Sequence, residues 1–253
     1  MAECDQRLKY VHTTKVGLSS AYNRGIAECD GDIIAFTDDD CIVPTDWLKT
    51  IAEAFARHPK AGLLYGQVLV PPELQGAGGV VPSLVFDSPR TLSAKTEFEV
   101  FGMGANFAAR RSLLQQIGGF DEVLGGGGPL RSSQDFDLQY RVYRTGQASL
   151  LEPSVRLLHY GFRDNADWPR TLTAYGVGDG GFYMKHLRCG DPTAGMLLGR
   201  KIAGQAIRVI LKPLVGRRHS THYLRGMIAG ARKSFEYDVD SRRRMYRQKQ
   251  QGA

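Results

Sequence analysis

Cysteine is scarce and poorly spaced for a metal cluster or a disulfide framework. The 253-residue chain carries four, Cys4, Cys29, Cys41 and Cys189, with no C-x-x-C pair. This excludes zinc-ribbon and disulfide-stapled classes and suits a reducing, cytoplasmic compartment. Long apolar runs are lacking too: no window approaches 18 uninterrupted apolar residues, so no segment reads as a membrane span. The first residues, Met-Ala-Glu-Cys-Asp-Gln-Arg, are polar and show no apolar h-region of a secretory signal. Neither Gly-Lys-Ser nor Gly-Lys-Thr follows the glycines Gly125 to Gly128, which removes a P-loop reading.

What remains is an ordinary folding composition, 42% hydrophobic and 23% charged, in a chain long enough for one large domain or a domain with an appendage. Charge is uneven along it. Residues 200–253 hold 14 Lys or Arg against three acidic residues, +11 within a whole-chain +7, which leaves −4 for residues 1–199. A basic tail favours polyanions such as an anionic membrane surface, a phosphorylated substrate or nucleic acid. The tail has neither interleaved aromatics nor a recognisable module, so no nucleic-acid partner is expected.

Asp38, Asp39 and Asp40 stand directly behind the apolar run Ile33-Ile34-Ala35-Phe36. So short a run reads as a buried strand, and carboxylates at its carboxyl end lie where open α/β sheets bind ligands. Three like charges repel one another, and an oxygen-ligated Mg²⁺ or Mn²⁺ would offset that repulsion. An acidic turn or helix cap after the strand explains the triplet equally well at this point.

Strand-like and helix-like segments alternate around it, which predicts an α/β layered sheet. Leu8 to His12 reads as a strand, Gly17 to Glu28 as a helix capped by Ser19 or Ser20, and Ala61 to Val70 as a strand after a helix that starts at Pro44-Thr45-Asp46 and stops at His58-Pro59. Residues 71–96 are rich in Pro, Gly and Ser and read as a long excursion. Next come a strand from Phe98 to Ala108, a helix from Arg111 to Ile117 stopped by Gly118-Gly119, a helix from Gln134 to Arg144 and a strand from Ala148 to His159. Downstream, Ala203, Ala206, Ile207 and Ile210 share one side of a helical projection, with Lys201, Arg208 and Lys212 on the other and Pro213 as the stop. Such a helix lies on a membrane surface or packs its apolar side on its own domain. Arg242 to Arg244 are expected to fray.

Three separated features combine into one chemistry. The triplet would hold a divalent cation against a diphosphate, Asp135 in the first turn of its helix suits a general base, and His159 at a strand end could complete the cation's coordination. Each has a plainer explanation, Asp135 as a partner of its helix dipole and His159 as a satisfied buried histidine.

Several ordered motifs carry a resemblance. Gly17-Leu-Ser-Ser-Ala-Tyr-Asn-Arg-Gly-Ile-Ala, Gly31-Asp-Ile-Ile-Ala-Phe-Thr-Asp-Asp-Asp, Asp46-Trp-Leu, Gly104-Ala-Asn106, Gly118-Gly-Phe-Asp-Glu122, Gln134-Asp135-Phe-Asp137-Leu and His159-Tyr-Gly together resemble family 2 glycosyltransferases of GT-A fold over residues 7–165. The resemblance implies a GT-A-like (Rossmann-like) mostly parallel sheet with flanking helices for residues 1–165, and a basic helical region for 166–253. In that family two further βα units precede the matched motifs, so the chain reads as N-terminally truncated. By resemblance, Asp38 contacts the ribose, Asp39 faces the donor sugar, Asp40 and His159 bind Mg²⁺ or Mn²⁺, and Gly104 and Asn106 line the sugar pocket. Asp135 is the base for an inverting displacement, with residues 125–133 as a lid. The implied activity is transfer of a single sugar from a nucleotide-sugar donor to a glycan or lipid-linked acceptor, and the basic amphipathic tail adds the expectation of a cytoplasmic, peripheral membrane location. The alternative is a non-catalytic remnant that binds glycan or a partner.

Overall fold

The run at Ile33 forms β1 (Ile33–Thr37), one margin of a mixed sheet. The computed structural model describes residues 7–100, 102–211 and 220–249. β1 is followed by β2 (Cys41–Ile42), β3 (Ala61–Leu69), β4 (Arg90–Leu92), β5 (Asn106–Arg110) and β6 (Ala148–His159), in spatial order β1-β5-β3-β6-β2, with β4 also paired to β6. The α/β class and the flanking helices are as expected, but the sheet is mixed rather than mostly parallel. Among the described strands, only β3 and β6 run parallel; β5 enters reversed between β1 and β3 after the long excursion, and β2 and β4 flank β6 antiparallel.

Strand alternation sorts the core onto two faces. Leu64 and Ala108 point to one face, where α2 (Trp47–Arg57) covers them with Trp47, Ile51 and Phe55 at helical spacing. Leu63, Tyr65, Phe107 and Ala109 point to the other, joined by α3 (Arg111–Ile117), α4 (Gln134–Arg144) and residues of the C-terminal helices. Phe36 and Phe107 stack there, centroids 4.4 Å apart. The segments 1–165 and 166–253 thus share one core, with Met227 and Tyr246 in the same cluster as Phe107.

Four other local expectations change. Residues 8–12 form no strand; Leu8 and Tyr10 are exposed, and without a partner a strand has no ladder to stabilise it. α1 (Leu18–Glu28) is capped by Gly17 and not by a serine hydroxyl: the Leu18 amide donates to Gly126 O at 2.8 Å, while Ser19 Oγ donates to Leu124 O at 2.7 Å. The strand expected from Phe98 begins only at Asn106, because Gly102 at φ +87° turns the chain against the Tyr65 ring. Arg242 to Arg244 do not fray; they join β7 (Tyr237–Asp240) and β8 (Met245–Gln248), a hairpin anchored by buried Tyr246. Cys4, Lys212 and Pro213 lie outside the described residues.

Three further helices, α5 (Trp168–Arg188), α6 (Pro192–Leu211) and α7 (His222–Lys233), close the sheet's second face. α5 and α7 cross at backbone contact: Gly176 and Gly180 on α5 meet Gly226 and Gly230 on α7, each pair at i,i+4 spacing. A methyl group at Gly230 would overlap the Val177 carbonyl. Gly230→Ala should therefore separate the helices and cost about 1–3 kcal/mol, read as a lowered midpoint in thermal unfolding.

Candidate functional site

The pairing of β2 with β6 places Cys41 opposite His159, and the Tyr160 amide donates to Asp40 O at 2.7 Å. Asp40 Oδ1 thereby comes within 3.4 Å of His159 Nε2. The other ring nitrogen of the buried His159, Nδ1, lies 2.8 Å from Pro82 O. A carbonyl only accepts, so Nδ1 donates to it, and the ring is held with Nε2 facing the Asp40 carboxylate. Nε2 and an Asp40 carboxylate oxygen are both atoms that can ligate a divalent cation. Cys41 Sγ completes the group, with all three ligand atoms within 4.8 Å of one another.

Asp38 is half-buried at the end of β1 and accepts from the Tyr22 hydroxyl at 3.1 Å. Burial raises its pKa, with the Asp40 charge adding to the effect and the Tyr22 bond opposing it. Asp39 between them is exposed.

Asp135 sits in the first turn of α4, reached through Ser133 in the left-handed region at φ +68°. Gly104 passes close by: a Cβ there would stand 3.1 Å from Asp135 Oδ2, and the absent side chain leaves the carboxylate open. Asp135 and Gly104 line a cavity of about 560 Å³ together with Asp38, Pro82, Ser133 and Phe136. Burial pushes the Asp135 pKa up to about 6; the nearby Asp179 charge acts in the same direction, and amide donors from Phe136 and Gly104 oppose it.

Not every expected residue reaches this cavity. Asn106 is fully buried and its amide is consumed by the fold, accepting from Trp47 Nε1 at 3.0 Å and donating to Gln67 O at 2.8 Å. It ties β5 to α2 and β3. The loop at 125–133, expected as a lid, is docked: Gly126 O caps α1, and Ser132 Oγ donates to Ala174 O of α5 at 3.0 Å. Sequence reasoning missed Tyr175, Asp179, Lys201 and Tyr223, all on the cavity wall. Asp179 left one signal, a lone carboxylate within Gly176-Val-Gly-Asp-Gly-Gly. The others left none, because three helices bring them together from distant positions.

Asp137, two residues after Asp135, anchors α4. It accepts from Lys185 Nζ at 2.6 Å, Arg141 Nε at 2.9 Å and His186 Nε2 at 2.8 Å, all nearly fully buried. Burial alone would raise the Asp137 pKa, but Lys185 and Arg141 outweigh it and hold the carboxylate well below its usual range. His186 is pushed down to about 4, chiefly by burial, and is neutral at pH 7.

Among known proteins, the family model described as Glycosyl transferase family 2 matches residues 1–118. The pre-mycofactocin glycosyltransferase of Mycobacterium tuberculosis, in strains CDC 1551 / Oshkosh and ATCC 25618 / H37Rv, is 24% identical over 235 residues, covering 86% of this chain and 47% of the relative. The chain thus spans about half the length of the curated relatives it matches. The mannosyltransferase PcManGT from Pyrobaculum calidifontis, solved in complex with GDP-Man and Mn²⁺, aligns with a TM-score of 0.51 at 17% identity, over 87% of this chain and 66% of that chain. At that identity the likeness shows a shared fold.

Because the Asp135 pKa is raised, its protonated form is favoured in the folded chain. The resulting stability is full below about pH 4 and is lost as pH rises through about 6. Carboxyl carbon NMR should give a midpoint near 6 for Asp135, and Asp135→Asn should remove the matching fall in stability over that window.

Proposed function

We propose, from the match of residues 1–118 to the glycosyl transferase family 2 model, that the chain moves a sugar from a nucleotide-sugar donor to a hydroxyl of a glycan or lipid-linked acceptor, with inversion. The carrying observation is that one cavity is lined both by Asp38, from the triplet, and by Asp135, a carboxylate with a pKa near 6. A base whose pKa lies just below working pH is deprotonated yet basic enough to take a proton.

Asp38 binds the ribose and Asp39 faces the donor sugar. Asp40 and His159 Nε2 are the residues that would hold Mg²⁺ or Mn²⁺, and the GDP-Man and Mn²⁺ of the Pyrobaculum protein support both the donor class and the cation. That cation would supply charge neutralisation for the departing nucleotide diphosphate. Asp135 takes the proton from the acceptor hydroxyl as its oxygen bonds to the anomeric carbon and the bond to the diphosphate breaks. Gly104 leaves room for the sugar beside that carboxylate. We assign donor binding and base to residues 1–165, and an acceptor and membrane role to residues 166–253.

The membrane role rests on α6. No helix among the described residues is long and apolar enough to cross a bilayer. Ile207, Ile210 and Leu211 are nevertheless more than half exposed beside Arg208, an apolar stripe with a cation suited to an anionic surface.

In a transfer assay, Asp135→Asn should lower turnover by about 10²–10⁴ while nucleotide-diphosphate affinity, measured by calorimetry, persists. Asp40→Ala and His159→Ala should abolish Mn²⁺-dependent nucleotide binding. Normal turnover by Asp135→Asn sinks the assigned base. The chain should sediment with phosphatidylglycerol vesicles, and Ile207→Asp with Ile210→Asp should release it.

A further inference from the structure

The helical wall of the cavity holds a polar cluster that the donor chemistry does not use. Asp179 of α5 accepts from Lys201 Nζ of α6 at 2.6 Å, from Ser133 Oγ at 2.6 Å and from the Tyr223 hydroxyl of α7. The Lys201 ammonium also lies over the Tyr223 ring, 5.9 Å from its centroid. Tyr175 adds a ring that is 39% exposed, set edge-on to Trp168 at 6.4 Å. All these cavity-lining residues fall outside the family-matched segment 1–118.

We infer that this cluster is the acceptor end of the cavity and that it recognises a neutral, hydroxyl-bearing sugar ring. The inference rests on Asp135 as the base, because the hydroxyl that loses its proton must lie beside that carboxylate, in the cavity the cluster also lines.

Charge decides the chemical class. Lys201 is the one cation among the described lining residues, and its ion pair with Asp179 neutralises it. Asp179 in turn raises the pKa of Lys201, against the effect of burial, so the ammonium stays charged and paired. The other charged lining residues, Asp38 and Asp135, are carboxylates. Among the described lining residues, a phosphate or carboxylate on the acceptor would meet like charge and no unpaired cation. A sugar hydroxyl both donates and accepts, and the cluster offers both roles with charge-assisted strength at Asp179 and Lys201. The exposed face of Tyr175 gives the apolar side of a sugar ring a surface to rest on. Three helices hold the set in place, so little ordering is left for the moment of binding.

Titration of the whole chain with neutral p-nitrophenyl hexosides, hexose 6-phosphates and hexuronates, followed by saturation-transfer NMR, tests the inference. At least one neutral hexoside should bind, and Tyr223→Phe, Lys201→Met and Tyr175→Ala should each weaken it about tenfold, the loss expected for one hydrogen bond to a charged group or one aromatic contact. Tighter binding of the phosphates or uronates, equal binding by the variants, or no sugar bound at all would overturn it. Thermal unfolding checks each variant, and Tyr223→Phe, which loses a single oxygen, keeps the test decisive if a larger change unfolds the chain. Nucleotide-diphosphate binding with Mn²⁺, measured on the unaltered chain, is a separate readout: its absence strikes the donor reading and leaves the sugar titration standing.

Discussion

Asp137 is the constraint on which the rest of the molecule depends. A carboxylate fully removed from water is tolerable only when surrounded by donors, and Asp137 has Lys185, Arg141 and His186. Lys185 also reaches Asp121 at 2.7 Å, and Asp121 accepts the Tyr246 amide at 2.8 Å. One network therefore links the loop before the glycines, the helix bearing Asp135, α5 and the C-terminal hairpin. Breaking such a pair by removing one partner costs about 3–5 kcal/mol, because the charge left behind stays buried. Asp135 lies two residues away in the same helix, which the Asp137 network anchors.

Much of this organisation was legible in the chain. Helices α3 and α4 and strand β6 fall where the pattern predicts, since apolar spacing and the glycines at 118 and 119 report local preference directly. The proximity of Asp40 to His159 was anticipated from motif order, although its cause, the β2–β6 register, is a non-local pairing that no spacing encodes. Strand direction was not legible: alternation of strands and helices says nothing about how β5 enters between β1 and β3. Asn106 reads as a pocket residue, yet a buried amide is first claimed by unsatisfied neighbours, here the Trp47 indole and the Gln67 carbonyl.

The cavity combines two kinds of wall. The sheet side contributes ends of strands and the loops that leave them, where backbone register sets positions. The helical side contributes long side chains, Lys201 and Tyr223, whose placement follows from how α5, α6 and α7 pack. The first wall lies largely within the segment matched by the family model, and the second lies outside it.

The glycine crossing of α5 and α7 works as a ruler. With no side chains between the two backbones, neither a larger residue nor a changed rotamer can take up slack there. A slip of one residue along α7 would move its side chains by about 1.5 Å and turn them by about 100°. Tyr223 would then lose Asp179, three turns of α5 after the helix begins. Those four residues without side chains thus set the alignment of a hydroxyl they never touch.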